Sequence, residues 1–133
     1  IVRGDCYVTN AVKHFKFVER GKRRIHQKPT AGEVRHYRWW LMKELEFIAP
    51  ALVVALGSTA AYALAGRPIA VLKERGMTPF GFVTVHPSML LRIPDPAARH
   101  DAYRSFVGDL ERAKSLASER TSGLSHEDHG RTA

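Results

Sequence analysis

Ala51-Leu52-Val53-Val54-Ala55-Leu56-Gly57-Ser58 is an apolar run with no polar face that ends in a tight turn. Such a run marks a central strand of a parallel sheet, covered on both faces. It is too short for a membrane span, which needs roughly 18 apolar residues. Ser58 is placed to cap a helix over 59–64, and Gly66 to stop it. Upstream, Thr30-Ala31-Gly32-Glu33 has the spacing of a capping box, which predicts a helix to about residue 48. Trp40, Leu41, Leu45 and Ile48 recur along it at helical spacing, and Trp39 and Trp40 read as core and edge packing. Cys6-Tyr7-Val8-Thr9 is a short β-favouring run. Downstream, 68–75 is either a short helix or an irregular crossover, and Phe80-Gly81-Phe82-Val83-Thr84-Val85 is a further strand. Asp95-Pro96 opens a last helix to about residue 118, with Tyr103, Phe106, Val107 and Leu110 on one face. Strands alternating with helices predict an α/β fold, three layers α-β-α around a mostly parallel central sheet.

With 133 residues the chain makes one domain, expected over 1–118, and a Ser-, Gly- and charge-rich tail expected to be disordered over 119–133. His126 and His129 lie in that tail, three apart, and are not read as a metal site. Lys and Arg number 21 against 13 Asp and Glu, a formal charge of +8. That balance favours a phosphate-rich partner, with an acidic membrane surface as the competing choice. A single cysteine, Cys6, excludes an internal disulfide framework and fits a reducing, cytoplasmic setting. The chain opens on Ile1 with no signal-peptide pattern, and Ile1-Val2-Arg3-Gly4-Asp5 reads as the middle of a longer, N-terminally truncated sequence.

The basic stretch Arg20-Gly21-Lys22-Arg23-Arg24-Ile25-His26-Gln27-Lys28-Pro29 is bracketed by Gly21 and Pro29 and reads as a loop. Its cations are suited to phosphates, and they surround one imidazole, His26, which is a nucleophile in its neutral form. The same run also fits a solvated basic loop with an incidental histidine. Asn10 ends the first strand. It either caps the turn or reads a base edge, since one carboxamide both donates and accepts, as the O4 and N3–H of uracil require. Lys13, His14, Phe15, Lys16 and Phe17 interleave cations with rings, which suits nucleic acid as well as it suits core packing. His86 stands at the carboxyl end of a strand, where open α/β sheets place their ligands.

Three stretches, Tyr7 to Phe17, Lys22-Arg23-Arg24-Ile25-His26-Gln27-Lys28-Pro29 and His86-Pro87-Ser88-Met89-Leu90-Leu91-Arg92, together resemble the UdgX-like branch of the uracil-DNA glycosylase superfamily. That branch is related to the iron–sulfur family 4 enzymes, and the similarity runs from about Cys6 to Leu116. The resemblance implies that Asn10 reads uracil and that His86 donates a hydrogen bond to uracil O2. It implies DNA contacts by Pro87, Ser88, Leu90 and Arg92, and phosphate contacts by Lys22, Arg23, Arg24 and Lys28. It further implies that His26 attacks C1′ and leaves the protein joined to the abasic sugar. The implied partner is uracil-containing DNA, single-stranded by preference, bound by a monomer that is nucleoid-associated when on DNA. The family cofactor is a 4Fe-4S cluster, with His14 standing at its third ligand position and Tyr37 where a further cysteine is expected. The family's first motif and its N-terminal cysteine pair would precede Ile1. An ordinary turnover glycosylase and a non-catalytic basic nucleic-acid-binding remnant are the alternative readings.

Overall fold

The computed structural model describes residues 1–14 and 16–127, with side chains to residue 123. A single 3-10 turn, Arg3–Asp5, precedes the first strand. Two antiparallel strands, β1 (Phe17–Arg20) and β2 (Arg23–His26), form a hairpin separate from the main sheet. Helix α1 (Ala31–Ile48) follows, then β3 (Val54–Leu56), α2 (Ser58–Ala65), β4 (Gly76–Thr78) and β5 (Gly81–Thr84). A one-turn helix α3 (Pro87–Leu91) leads to the long helix α4 (Pro96–Glu127).

The main sheet has the order β3-β5-β4, so β5 is the central strand and β3 lies at one side of it. The parallel pair is β3 with β5, in register Ala55 to Val83. The second pair, β4 with β5, is antiparallel, because Pro79 and Phe80 alone connect them and a parallel return needs a crossover of a dozen residues or more. The sheet is therefore mixed. Gly81 has φ 147° at the start of β5, and a Cβ there would come 2.8 Å from the Val53 carbonyl oxygen. Only glycine lets the two backbones approach so closely.

Helices cover the sheet on both faces, with Val83 turned to α2 and its neighbour Thr84 turned to Asp109 on α4. Ala55 and Val83 face α2, packing with Ala61 and Ile69. α1 backs α2 through Val34 and Leu41 against Ala63. On the other side Val85, Leu90 and Phe106 form a cluster between the end of β5, α3 and α4. The α1 capping box is present, with the Thr30 hydroxyl accepting from the Glu33 amide and the Glu33 carboxylate from the Thr30 amide. Gly66 ends α2 at φ 74°, and the Asp95 carboxylate caps α4 by accepting from the Ala98 amide.

Several elements differ from the sequence expectation. Residues 6–9 pair with no strand among the described residues; the Cys6 thiol instead donates to the Val2 carbonyl. The expected basic loop is half strand, because Val18 pairs with Ile25 and Phe17 with His26 across the hairpin. Gly57 takes the N-cap position of α2 in place of Ser58. Trp39 and Trp40 are both more than half exposed and meet edge to face. Helix α4 continues to Glu127, with the Ser115, Ser118, Thr121 and Ser122 hydroxyls donating to carbonyls four residues back. Phe15, His129 and the His126 side chain lie outside the described residues.

One buried carboxylate ties the layers together. Asp109 on α4 is 1% exposed and accepts from the Thr84 hydroxyl at the end of β5 and from the guanidinium groups of Arg75 and Arg112. Burial alone would raise its pKa, but these three donors together hold it below the usual carboxylate value of 3.8. The stability it adds is complete above that value and is lost as pH falls through the lowered folded value. Asp109→Asn is expected to cost about 3 kcal/mol at neutral pH, because it strips the Arg75 guanidinium of its buried counter-charge. Urea unfolding of wild type and variant between pH 7 and pH 3 checks this, and the gap should narrow at the acid end.

Candidate functional site

The candidate site lies where β5 runs out. Thr84 is pinned by Asp109, and two residues later the chain turns out of the sheet at His86. His86 is the N-cap of α3, with Pro87 at the first helical position, where no amide donor is needed. Its Nδ1 accepts from the Ser88 amide at 3.1 Å and lies 2.8 Å from the Ser88 hydroxyl. A ring nitrogen that accepts an amide proton carries none itself. In the neutral imidazole the proton is thus on Nε2, which is left as a donor on an exposed side chain.

Gly57 sits against this histidine. It has φ 86°, and its amide donates to the Thr84 carbonyl at 2.9 Å. A Cβ on Gly57 would lie 2.9 Å from the His86 Cβ. The glycine is therefore required twice, by its backbone conformation and by the contact. Gly57→Ala is expected to destabilise the fold by about 2 kcal/mol through strain at that φ. It should also displace His86, so any activity that depends on that residue should fall further than the drop in melting temperature explains, with strand binding little changed.

The basic hairpin reaches the same place. Lys28 donates to the Ser58 hydroxyl at 3.1 Å, which ties the chain just after β2 to the first residue of α2, next to Gly57 and His86. Ser58 thus serves as an anchor for the cationic segment. Within the hairpin Arg20 pairs directly with Arg23, a like-charge contact that disfavours the strands, while Glu19 opposes Arg24. The Arg24 guanidinium stacks over the Phe17 ring at 4.8 Å from its centroid. Every residue of both strands is exposed. His26 ends β2 opposite Phe17, two residues before Lys28.

The remaining predicted site residues lie on other parts of the fold, Asn10 beside α1 and Pro87, Ser88, Leu90 and Arg92 on or just after α3. Asn10 is exposed, and its carbonyl accepts from Lys13, whose ammonium also meets Thr9 and Glu44. The next two residues, Ala11 and Val12, pack onto Val34, Leu41 and Ala63, so Asn10 is held at the edge of the α1–α2 layer. Pro87, Ser88 and Arg92 lie on or just after α3 at the surface, with Ser88 half-buried. Leu90 is placed differently from its predicted role at DNA: it is 7% exposed and packs on Val85 and Phe106. The exposed apolar side chain of that turn is Leu91, at 79%. The sequence offered two adjacent leucines, and the position of α4 decides which one turns inward.

Taken together, these features give an α/β domain with a strand-end histidine whose donor nitrogen is exposed, a helix N-terminus beside it, and an arginine-rich hairpin followed by Lys28, which is bonded to that helix N-terminus at Ser58. A family model described as the uracil DNA glycosylase superfamily matches residues 1–111, and the chain belongs to that superfamily. It is 32% identical over 124 residues to a Type-4 uracil-DNA glycosylase of Thermotoga maritima, an alignment that covers 87% of this chain and 58% of the relative. The chain spans a little over half the length of that relative.

The 4Fe-4S cluster implied by the resemblance is normally held by four thiolates. Cys6 is the single cysteine in the sequence, and it is bonded to the Val2 carbonyl. His14 is exposed, and Tyr37 stands edge-on to His36. Among the described residues no three His, Cys, Asp or Glu converge as metal ligands. The residues present do not fit such a cluster. Also among the described residues, no helix is long and apolar enough to cross a membrane.

Proposed function

We propose that this domain excises uracil from DNA, preferring a single strand and acting as a monomer, and that it is left covalently joined to the abasic sugar through His26. The observation that supports the reading is the Lys28–Ser58 bond, which joins the chain just after the arginine-rich hairpin to the start of α2, where the neighbouring Gly57 lies against His86. A nucleotide has to leave its stack before any side chain reaches the glycosidic bond. The hairpin cations and Arg92 hold the flanking phosphates, and Pro87 and Ser88 line the backbone. Leu91, exposed at the end of α3, fills the space the base vacates. Asn10 pairs with the O4 and N3–H of uracil.

The C1′–N1 bond breaks with its electron pair leaving on uracil, and the sugar becomes oxocarbenium-like. The Nε2–H of His86 donates to O2 as negative charge gathers there. The lone pair of the neutral His26 imidazole then forms the N–C1′ bond, and the proton released from the ring goes, directly or through solvent, to the departed uracil anion. A fixed nucleophile beside C1′ competes with water at high effective concentration.

A second reading has one observation in its favour: the bond from this basic segment to the start of α2 is made by Lys28 rather than by His26. On that reading the hairpin only grips phosphate, and water completes an ordinary turnover reaction. Counting uracil released per protein molecule separates the two. Capture predicts at most one, together with a gel shift stable to SDS and heat on uracil DNA and none on thymine DNA. Several uracils per molecule would establish turnover instead.

A further inference from the structure

We propose that the groove between α3 and the first two turns of α4 is a stacking subsite for an unpaired base of the strand flanking the extracted nucleotide, with Tyr103 as its platform. The inference rests on the DNA reading above and adds a site to it. The groove is lined by Pro87, Leu91, Pro96, Arg99, His100 and Tyr103. Pro96, Arg99, His100 and Tyr103 recur at i, i+3, i+4 and i+7, so they form one face of α4. Tyr103 lies 54% open to solvent although its neighbour Phe106 is buried. It is therefore a ring that the core does not use.

The occupant follows from the chemistry of the lining. Apolar walls from Leu91 and two prolines, one exposed aromatic ring, and cationic or hydrogen-bonding side chains from Arg99 and His100 suit a nucleobase carried on a phosphate backbone. Arg92, the C-cap residue of α3, is also exposed, next in sequence to the lining residue Leu91. Asp95, just before α4, is engaged on the Ala98 amide, and the acid within this stretch of α4, Asp101, falls on the helix face opposite the one formed by Pro96, Arg99, His100 and Tyr103. The groove is also continuous with the His86 turn, because Pro87 belongs to both. A strand whose target nucleotide is drawn toward His86 would run its neighbouring nucleotide directly into this groove. A single strand can splay that base out, whereas a paired duplex cannot, so the subsite would supply strand preference.

The test uses the intact chain with short single strands carrying 2-aminopurine at successive positions either side of uracil or of thymine. Tyr103→Ala should weaken binding of both strands about tenfold, the loss of one base–aromatic stack. It should also abolish the change in 2-aminopurine fluorescence at one flanking position. Tyr103→Phe should retain both signals, and circular dichroism should show the fold of all variants unchanged. Equal affinity and an equal fluorescence change for wild type and Tyr103→Ala would overturn the proposal. Normal Tyr103-dependent binding by a protein that releases no uracil would leave the groove standing and count against the excision reading alone.

Discussion

Replacing His86 by alanine is expected to slow uracil release at least 100-fold in single-turnover assays, with binding of thymine strands almost unchanged. The size follows from the loss of one preorganised donor at the atom where negative charge develops, typically about 10²–10³ in rate. The donor is preorganised because the other ring nitrogen is already committed: the Ser88 amide bonds Nδ1, which fixes the tautomer and leaves the proton on Nε2. Position is fixed independently, by the Asp109–Thr84 bond below the turn and by Gly57 beside it. His86→Gln, which keeps a donor on a different stem, should recover part of the rate. Ser88→Ala keeps the amide that sets the tautomer and should lose much less than His86→Ala. A His86→Ala enzyme within threefold of wild type would remove His86 from the chemistry.

Much of this frame is legible in the sequence, wherever one local rule acts alone. The Thr30–Glu33 box, the Gly66 stop and the Asp95 cap are each set by hydrogen bonds within one turn. His86 at the end of β5 was likewise readable, since an apolar strand ending in His-Pro has to turn there. Features decided by distant partners were not. The basic stretch looks like a loop because its charges mask the Phe17, Val18 and Ile25 pairing that makes it a hairpin. Nothing local shows that β5, and not β3, is the central strand, because that depends on the β4 hairpin joining from the far side. Asp109 interrupts an otherwise apolar face of α4, and that interruption was the available sign of a buried ionic tie to Thr84 and Arg75. The Lys28–Ser58 bond spans thirty residues and has no sequence signature.

The second large effect concerns His26. If the proposed roles hold, His26→Ala should eliminate the covalent adduct altogether while leaving uracil release measurable, because His86, Asn10 and the hairpin cations would still bind and polarise the base. Water would then accept the sugar cation and the protein would turn over. The change is thus one of outcome, from capture to hydrolysis, and not of affinity. Arg24→Ala, by contrast, removes a cation stacked on Phe17 and should weaken strand binding with the adduct still formed.

Intact mass after incubation with a uracil-containing single strand tests the capture claim most directly, since it reports covalency, stoichiometry and base loss together. The account predicts one species at the mass of protein plus oligonucleotide minus one uracil, absent for thymine DNA and absent for His26→Ala. A full adduct in His26→Ala, or unmodified protein beside quantitatively released uracil in the wild type, would contradict it.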